Sequence, residues 1–301
     1  MKQKVLLNTN LWDVRITPQV FFAKMPYMFK HFEFVQSSNP DFVIYSQNAK
    51  VKNLPKKCVR IFYTGENKHP DMSSCDWAFT YDYDEEFKHP RHYRIPNYTR
   101  LGAGTDLIKP ATYDPSAVLR AKTKFCAFVY WHNVPFRNKF FQRLSRYRHV
   151  DSPGRAHNNM PTIEKVAVNQ LRKTYEKVFY RSNDLKLQFL RPYKFVIAFE
   201  NNPRCPGYTT EKLYHAMLAN SIPLYWGNPL VHRDFNTRSF VNYHDHKSVD
   251  AMIDQIVNLD QDDDLYMKCL SEPWYPDNKI TPYVDARAIV RKFKQIFRSP
   301  K

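Results

Sequence analysis

The chain has 301 residues, 43% hydrophobic and 16% aromatic, enough to bury the cores of two ordinary domains and too apolar for a disordered chain. A formal net charge of +17 and a pI near 9.5 favour anionic partners, namely a nucleotide, a nucleic acid or an acidic membrane surface. The basic residues are dispersed, so charge alone does not choose among these partners, and no apolar run approaches the ~18–20 residues of a membrane span.

The opening segment MKQKVLLNTN has an apolar core of only Val5, Leu6 and Leu7, too short for a secretory signal, and reads as a first strand. DFVIYS, CVRIFYTG, WAFTYDYD and HYRIPNY follow as further strands, with amphipathic FFAKMPYMFKHF among the segments between them. This is the βα alternation of an open α/β sheet. Around Gly102–Lys124 the pattern breaks, and two prolines and two glycines without an apolar period suggest an interdomain connection. A second α/β series begins at KFCAFVYW, a strand, followed by the helix RNKFFQRLSRY and the short strand in HVDSPG. IEKVAVNQLRKTYEKVF reads as a helix, YKFVIAFE as a strand, EKLYHAMLAN as a helix, and SIPLYWG and SFVNYHD as strands. SVDAMIDQIVNL is a helix, and the tail is a basic helix with Val284, Ile289, Phe293 and Phe297 on one apolar face. The expected organisation is an N-terminal Rossmann-like domain over 1–110, a linker over 111–122, a second Rossmann-like domain over 123–282, and a basic helix over 283–301.

Five cysteines, an odd number without a CxxC pair, argue against a disulfide framework or a zinc site and make a reducing cytoplasm the simplest location. The basic tail either packs on the N-terminal domain or makes peripheral contact with the inner face of a membrane.

Ligands of open α/β sheets bind beyond the carboxyl ends of the strands. The polar residues there follow Gly65, Val129, Val150 and Phe199. With six glycines, no GxGxxG and no GxxxxGK[ST], the chain lacks a glycine-built phosphate cradle, so cationic side chains and helix N-termini would have to replace it. Lys212 stands in the first turn of a helix, where it opposes the dipole by ~0.3–1 kcal/mol. An anion there would be attracted by both; otherwise the lysine is simply solvated. Arg137, at the start of the helix after Val129, offers planar bidentate donors suited to phosphate, or is a solvated helix charge. Glu66, just past Gly65, is placed as a general base at the mouth of the first domain, or is a surface loop acid.

The stretch Phe195–Pro229, FVIAFENNPRCPGYTTEKLYHAMLANSIPLYWGNP, closely resembles the donor-binding motif of the α1,3-fucosyltransferase family. FYTGEN, FCAFVYWHNVPFRNKF and FVNYHD resemble the same family, particularly its bacterial members, and the blocks stand in family order over about residues 59–245. The resemblance implies a GT-B fold, two Rossmann-like domains facing across a cleft, the C-terminal one binding GDP-fucose and the N-terminal one an oligosaccharide acceptor. It implies inverting transfer of fucose without an essential metal, to N-acetylglucosamine in N-acetyllactosamine-type chains with a Lewis-type product. Carried over by position, Glu66 matches the general base, Arg137 the arginine on the donor diphosphate, and Asn201, Tyr208, Glu211 and Lys212 the donor-binding positions. Lys212 would then meet phosphate and Glu211 approach fucose. One departure is a loop from Asn201 to Tyr208 that is one residue longer than the family's.

Two Asp-rich segments, Asp260–Asp264 and Asp82–Asp84, resemble the DxD metal motif of other glycosyltransferases, but Asp-rich turns are common. His89 and His92 lack companion ligands at zinc spacing. The competing readings are a GT-B transferase for another nucleotide sugar, and a basic nucleic-acid-binding protein with aromatics available for stacking. The charge is not clustered, no nucleic-acid-binding motif occurs, and no nucleic-acid partner is expected.

Overall fold

The computed structural model describes residues 2–11, 14–23, 25–100, 104–163, 185–202 and 205–298. The helix read in IEKVAVNQLRKTYEKVF lies outside them from residue 164 onward. Two compact units form, one from Met1–Asp106, Cys205–Thr210 and Ile280–Lys301, the other from Leu107–Arg204 and Glu211–Lys279.

Among the described residues, the first unit is built on seven strands: β1 (Gln3–Leu11), β2 (Val14–Arg15), β3 (Phe32–Gln36), β4 (Phe42–Tyr45), β5 (Val59–Tyr63), β6 (Trp77–Thr80) and β7 (His92–Arg94). β1 pairs in parallel with β3 (Val5 opposite Phe34) and with β4 (Asn8 opposite Val43), and β5, β6 and β7 follow in parallel. β2 folds back antiparallel on the end of β1. β4 is buried along its whole length, as expected of a central parallel strand covered on both faces. The amphipathic segment FFAKMPYMFKHF holds the end of a helix over Pro18–Phe22 and a 3-10 turn over Pro26–Lys30, where a proline at the start cannot donate a helical backbone bond.

The tail helix, Ala286–Phe297, is a layer of this first unit. Its Ile289, Phe293, Ile296 and Phe297 are buried in one cluster with Val5, Leu7, Phe22, Ile44, Ile61 and Phe79. The Phe293 ring lies 4.9 Å from Phe79, and the Phe297 ring 4.8 Å from Phe42. Each such side chain removed from water contributes about 1.5–3 kcal/mol. The Asp285 carboxylate caps the helix by accepting from Arg287 N at 2.9 Å. Its apolar face is therefore occupied, and Arg287, Arg291 and Arg298 are exposed on the other side.

Among the described residues the second unit has five parallel strands in the order β12-β11-β10-β8-β9, with β8 Lys124–Ala127, β9 Val150–Asp151, β10 Tyr193–Phe199, β11 Ile222–Trp226 and β12 Val241–Asn242. The central β10 is buried apart from Lys194. Helices over Pro135–Tyr147, Glu211–Leu218 and Val249–Gln261 belong to this unit.

The boundary between the two units falls within the stretch read as an interdomain connection, and its part from Leu107 onward belongs to the second unit. Asp114 caps a helix over Pro115–Arg120, accepting from Ser116 N and Ala117 N. The Lys122 ammonium donates to Arg191 O at 2.7 Å and Ala219 O at 2.8 Å. Single capping and carbonyl-bonding residues carry no apolar period, which is why the pattern broke there.

The Asp-rich segment 260–264 has structural partners. Asp260 pairs with Arg148 at 2.9 Å and Lys194 at 3.2 Å, and Asp262 caps the helix Asp263–Ser271. In the first unit, Asp82 accepts from Thr80 Oγ1 at 2.7 Å, and Asp84 lies 2.8 Å from His92 Nδ1. Among the described residues, no group of three or more His, Cys, Asp or Glu is placed to hold a metal ion. Likewise, no helix among them is long and apolar enough to cross a membrane.

Candidate active site

In the second unit, β10 ends at Phe199, and the next residue, Glu200, is fully buried. Its backbone N–H donates to Trp226 O at 2.7 Å, which extends the pairing of β10 with β11 by one residue. Gly227 makes room for it, since a Cβ there would lie 2.6 Å from Glu200 Cγ. Burying a carboxylate is costly unless it is paired. The pair comes from Lys212, whose Nζ stands 3.2 Å from Glu200 Oε2 and 3.7 Å from Glu211 Oε1. The lysine in the first turn thus answers two carboxylates rather than the helix dipole alone.

Glu211 opens the helix, where a negative charge is favoured. Burial pushes its carboxyl up, but the positive charges of Lys212, Lys186 and His215 outweigh burial and hold it well below the usual carboxylate range. The result is an ionised glutamate, 29% exposed, beside an ammonium that is 15% exposed. Such a pair can meet phosphate oxygens through the cation and a cationic sugar through the anion. Glu200 is the member of this cluster that reading the sequence left out of the site. A charged residue directly after an unbroken apolar strand was the signal available.

Arg137 lies in the first turn of the helix Pro135–Tyr147 and is 1% exposed. Its Nη2 donates to Phe199 O at 3.1 Å and to Asn201 Oδ1 at 2.7 Å, and its Nη1 to His132 O at 3.3 Å. The guanidinium carbon sits 3.8 Å from the centroid of Tyr130, whose hydroxyl donates to Ile197 O at 2.8 Å and accepts from Phe199 N at 2.7 Å. Arg137 Nε is buried without a partner. This is a clamp on the carboxyl end of β10 and on Asn201, which is itself exposed.

Two other expected site residues belong to the first unit. Glu66 is exposed in the loop after β5. Thr64 fixes that loop: its hydroxyl accepts from Glu66 N at 3.0 Å and donates to Gln47 Oε1 at 2.9 Å. The adjacent Asn67 Oδ1 accepts from the Tyr81 hydroxyl at 2.8 Å. Tyr208 is 2% exposed and meets Tyr81 edge to face at 5.1 Å. Glu66 and Tyr208 are therefore linked through Asn67 and Tyr81, whereas Arg137 and Asn201 form one group and Glu200, Lys212 and Glu211 another. The buried Arg94, Tyr81 and Tyr130 lie in strand-like or strand-end text that sequence patterning assigns to core.

Two family profiles match this chain. The profile of the C-terminal part of glycosyltransferase family 10 (fucosyltransferase) covers residues 119–293, and that of the α-(1,3)-fucosyltransferase FucT N-terminal domain covers 9–101. The α-(1,3)-fucosyltransferase FucT of Helicobacter pylori is 31% identical over 242 residues, 75% of this chain and 47% of that protein. The α-(1,3)-fucosyltransferase B of Drosophila melanogaster is 30% identical over 132 residues, 43% of this chain and 28% of that protein. The chain thus spans about half or less of the length of these relatives. Among solved structures, an α1,3-fucosyltransferase with GDP-fucose aligns with all of this chain and 91% of its own at a TM-score of 0.72 and 26% identity. The architecture is GT-B, two α/β units each built on a parallel sheet. The profile over 119–293 takes in the whole sheet of the second unit together with Glu200, Glu211 and Lys212, and the chain is a member of glycosyltransferase family 10, the fucosyltransferases.

Proposed function

We propose that this protein transfers L-fucose from GDP-fucose to a hydroxyl of N-acetylglucosamine in N-acetyllactosamine-type glycans, forming an α1,3 linkage with inversion. The observation that carries this reading is the Glu200–Lys212–Glu211 cluster at the end of β10, in a chain of the fucosyltransferase family. Two of its structural relatives are solved with GDP and with GDP-fucose.

Cleavage of the bond between fucose C1 and the β-phosphate oxygen leaves negative charge on the diphosphate and positive charge on the sugar ring. The Lys212 ammonium is suited to the first and the Glu211 carboxylate to the second, each stabilising charge that develops only in the transition state. Glu200 holds the ammonium in place from the buried side. Arg137 fixes Asn201 against the strand end, so that the Asn201 amide is preset for the donor. Glu66 removes the acceptor proton, and attack from the face opposite the leaving diphosphate inverts the anomeric centre. No step in this scheme calls for a metal ion. The location is cytoplasmic, and any membrane contact would use the exposed basic side of the tail helix.

The direct test is GDP-fucose with type 1 and type 2 oligosaccharides, with linkage and anomeric configuration of the product read by NMR. Transfer from another nucleotide sugar with none from GDP-fucose would overturn the donor assignment.

A further inference from the structure

Arg94, at the end of β7, is fully buried in the first unit. A buried guanidinium requires good acceptors around it. Its Nε donates to Tyr81 O at 2.9 Å and its Nη2 to Gly207 O at 3.2 Å. The guanidinium carbon lies 4.1 Å from the centroid of Tyr83 and 4.3 Å from that of Tyr283, a sandwich between two aromatic faces. The two carbonyls come from segments 126 residues apart, the end of β6 and the loop Cys205–Thr210.

The contact between those segments is tight. Gly207 has φ +86°, and a Cβ on it would lie 2.4 Å from Tyr81 O. Only glycine adopts this conformation at this distance without moving the loop. Tyr208, next in the chain, packs on the Tyr81 ring, and Thr209 and Thr210 are buried. The Tyr81 hydroxyl reaches Asn67, beside Glu66.

We propose that Arg94 is a positioning residue for donor binding: its guanidinium holds the Gly207 carbonyl against the end of β6 and thereby sets the loop that carries Tyr208 and leads into Glu211. This rests on the fucosyl-transfer reading for its consequence in catalysis, and on the geometry alone for the anchoring. Lysine cannot replace arginine here, because one ammonium lacks the planar fork that reaches both carbonyls between two rings.

Two variants and two readouts test it. Arg94→Lys removes the fork; Gly207→Ala keeps Arg94 and forces the loop away by the added methyl. The anchoring is read by the labelling rate of Cys205, half-exposed in the same loop, with peptide mapping to separate it from Cys269. Steady-state kinetics with GDP-fucose supply the second readout. Both variants should label Cys205 about tenfold faster and raise the donor KM about tenfold, with acceptor KM and kcat little changed, as expected for losing one charge-assisted hydrogen bond. A purely structural role would lower the active fraction, and so apparent kcat, without moving the donor KM. If Arg94→Lys does not fold, Gly207→Ala decides. Labelling at the wild-type rate, or faster labelling with an unchanged donor KM, overturns the proposal. A wild-type protein that turns over no GDP-fucose overturns the transferase reading instead, and labelling then judges the anchoring by itself.

Discussion

Glu211→Gln separates the two tasks assigned to the cluster at the end of β10. The change removes one negative charge 3.7 Å from Lys212 Nζ and leaves Glu200 as the remaining carboxylate at 3.2 Å. Coulomb energy at the Glu211 distance runs from about 1 kcal/mol in water to about 4 kcal/mol at an effective dielectric of 20. With the carboxylate 29% exposed, the low end applies, about 1–2 kcal/mol of attraction that no longer competes for the ammonium. GDP, which has phosphates and no fucose, should therefore bind about tenfold tighter to the variant. Fucosyl transfer should fall by about a hundredfold or more, because the anion facing the developing sugar cation is gone. Isothermal titration with GDP and kcat with saturating GDP-fucose give the two numbers. Weaker GDP binding, or tighter binding with unchanged kcat, would refute the division of labour.

Four further outcomes follow from the same geometry. Glu66→Gln should abolish transfer while GDP affinity, measured by calorimetry, stays at the wild-type value; normal turnover removes Glu66 from the base role. The Glu211 carboxyl is held below its ordinary range by Lys212, so its stabilisation is complete above the unfolded glutamate pKa and is lost only as pH falls through the lower folded value. Lys212→Met should accordingly raise the pH of acid unfolding, followed by circular dichroism, besides weakening GDP-fucose binding. Lys109 donates from its ammonium to Leu270 O and Glu272 O and lies 3.9 Å from the Trp274 ring centroid; Lys109→Met should cost about 2–4 kcal/mol in urea unfolding. Phe293→Ala should cost about 3–5 kcal/mol by opening a cavity in the first unit's core, whereas binding to anionic liposomes should respond to Arg287, Arg291 and Arg298.

The parallel strands were legible because buried parallel strands are written as continuous apolar runs, as in FVIAF over Phe195–Phe199. The helix at Glu211 was legible from its apolar spacing and Lys212 from its conflict with the dipole. Other features depend on what lies across space and left no periodic trace. Arg137 looks the same in sequence whether it is solvated or clamped under Tyr130, and two of its hydrogen-bond acceptors, Phe199 O and Asn201 Oδ1, lie 62 and 64 positions later. Glu200 is anchored by Trp226 and spared by Gly227, neither of which is local to it. Tyr208 and Glu211 are three residues apart, yet the first belongs to the N-terminal unit and the second to the C-terminal one, a division that spacing along the chain does not reveal.

The amide of Gln3 donates to the carbonyl of Phe297 at 2.8 Å, across 294 residues of chain. During synthesis, the first sheet therefore waits for a layer that emerges after the entire second unit. At about 5–20 residues per second, the interval between Asp106 and Ala286 lasts roughly 10–35 s. Val5, Phe22, Phe42 and Phe79 present apolar surface throughout that delay. The second unit, whose strands and helices lie within residues 107–279, has no such wait. It should become protease-resistant first on the ribosome, with the N-terminal unit last to close and the more dependent on chaperones.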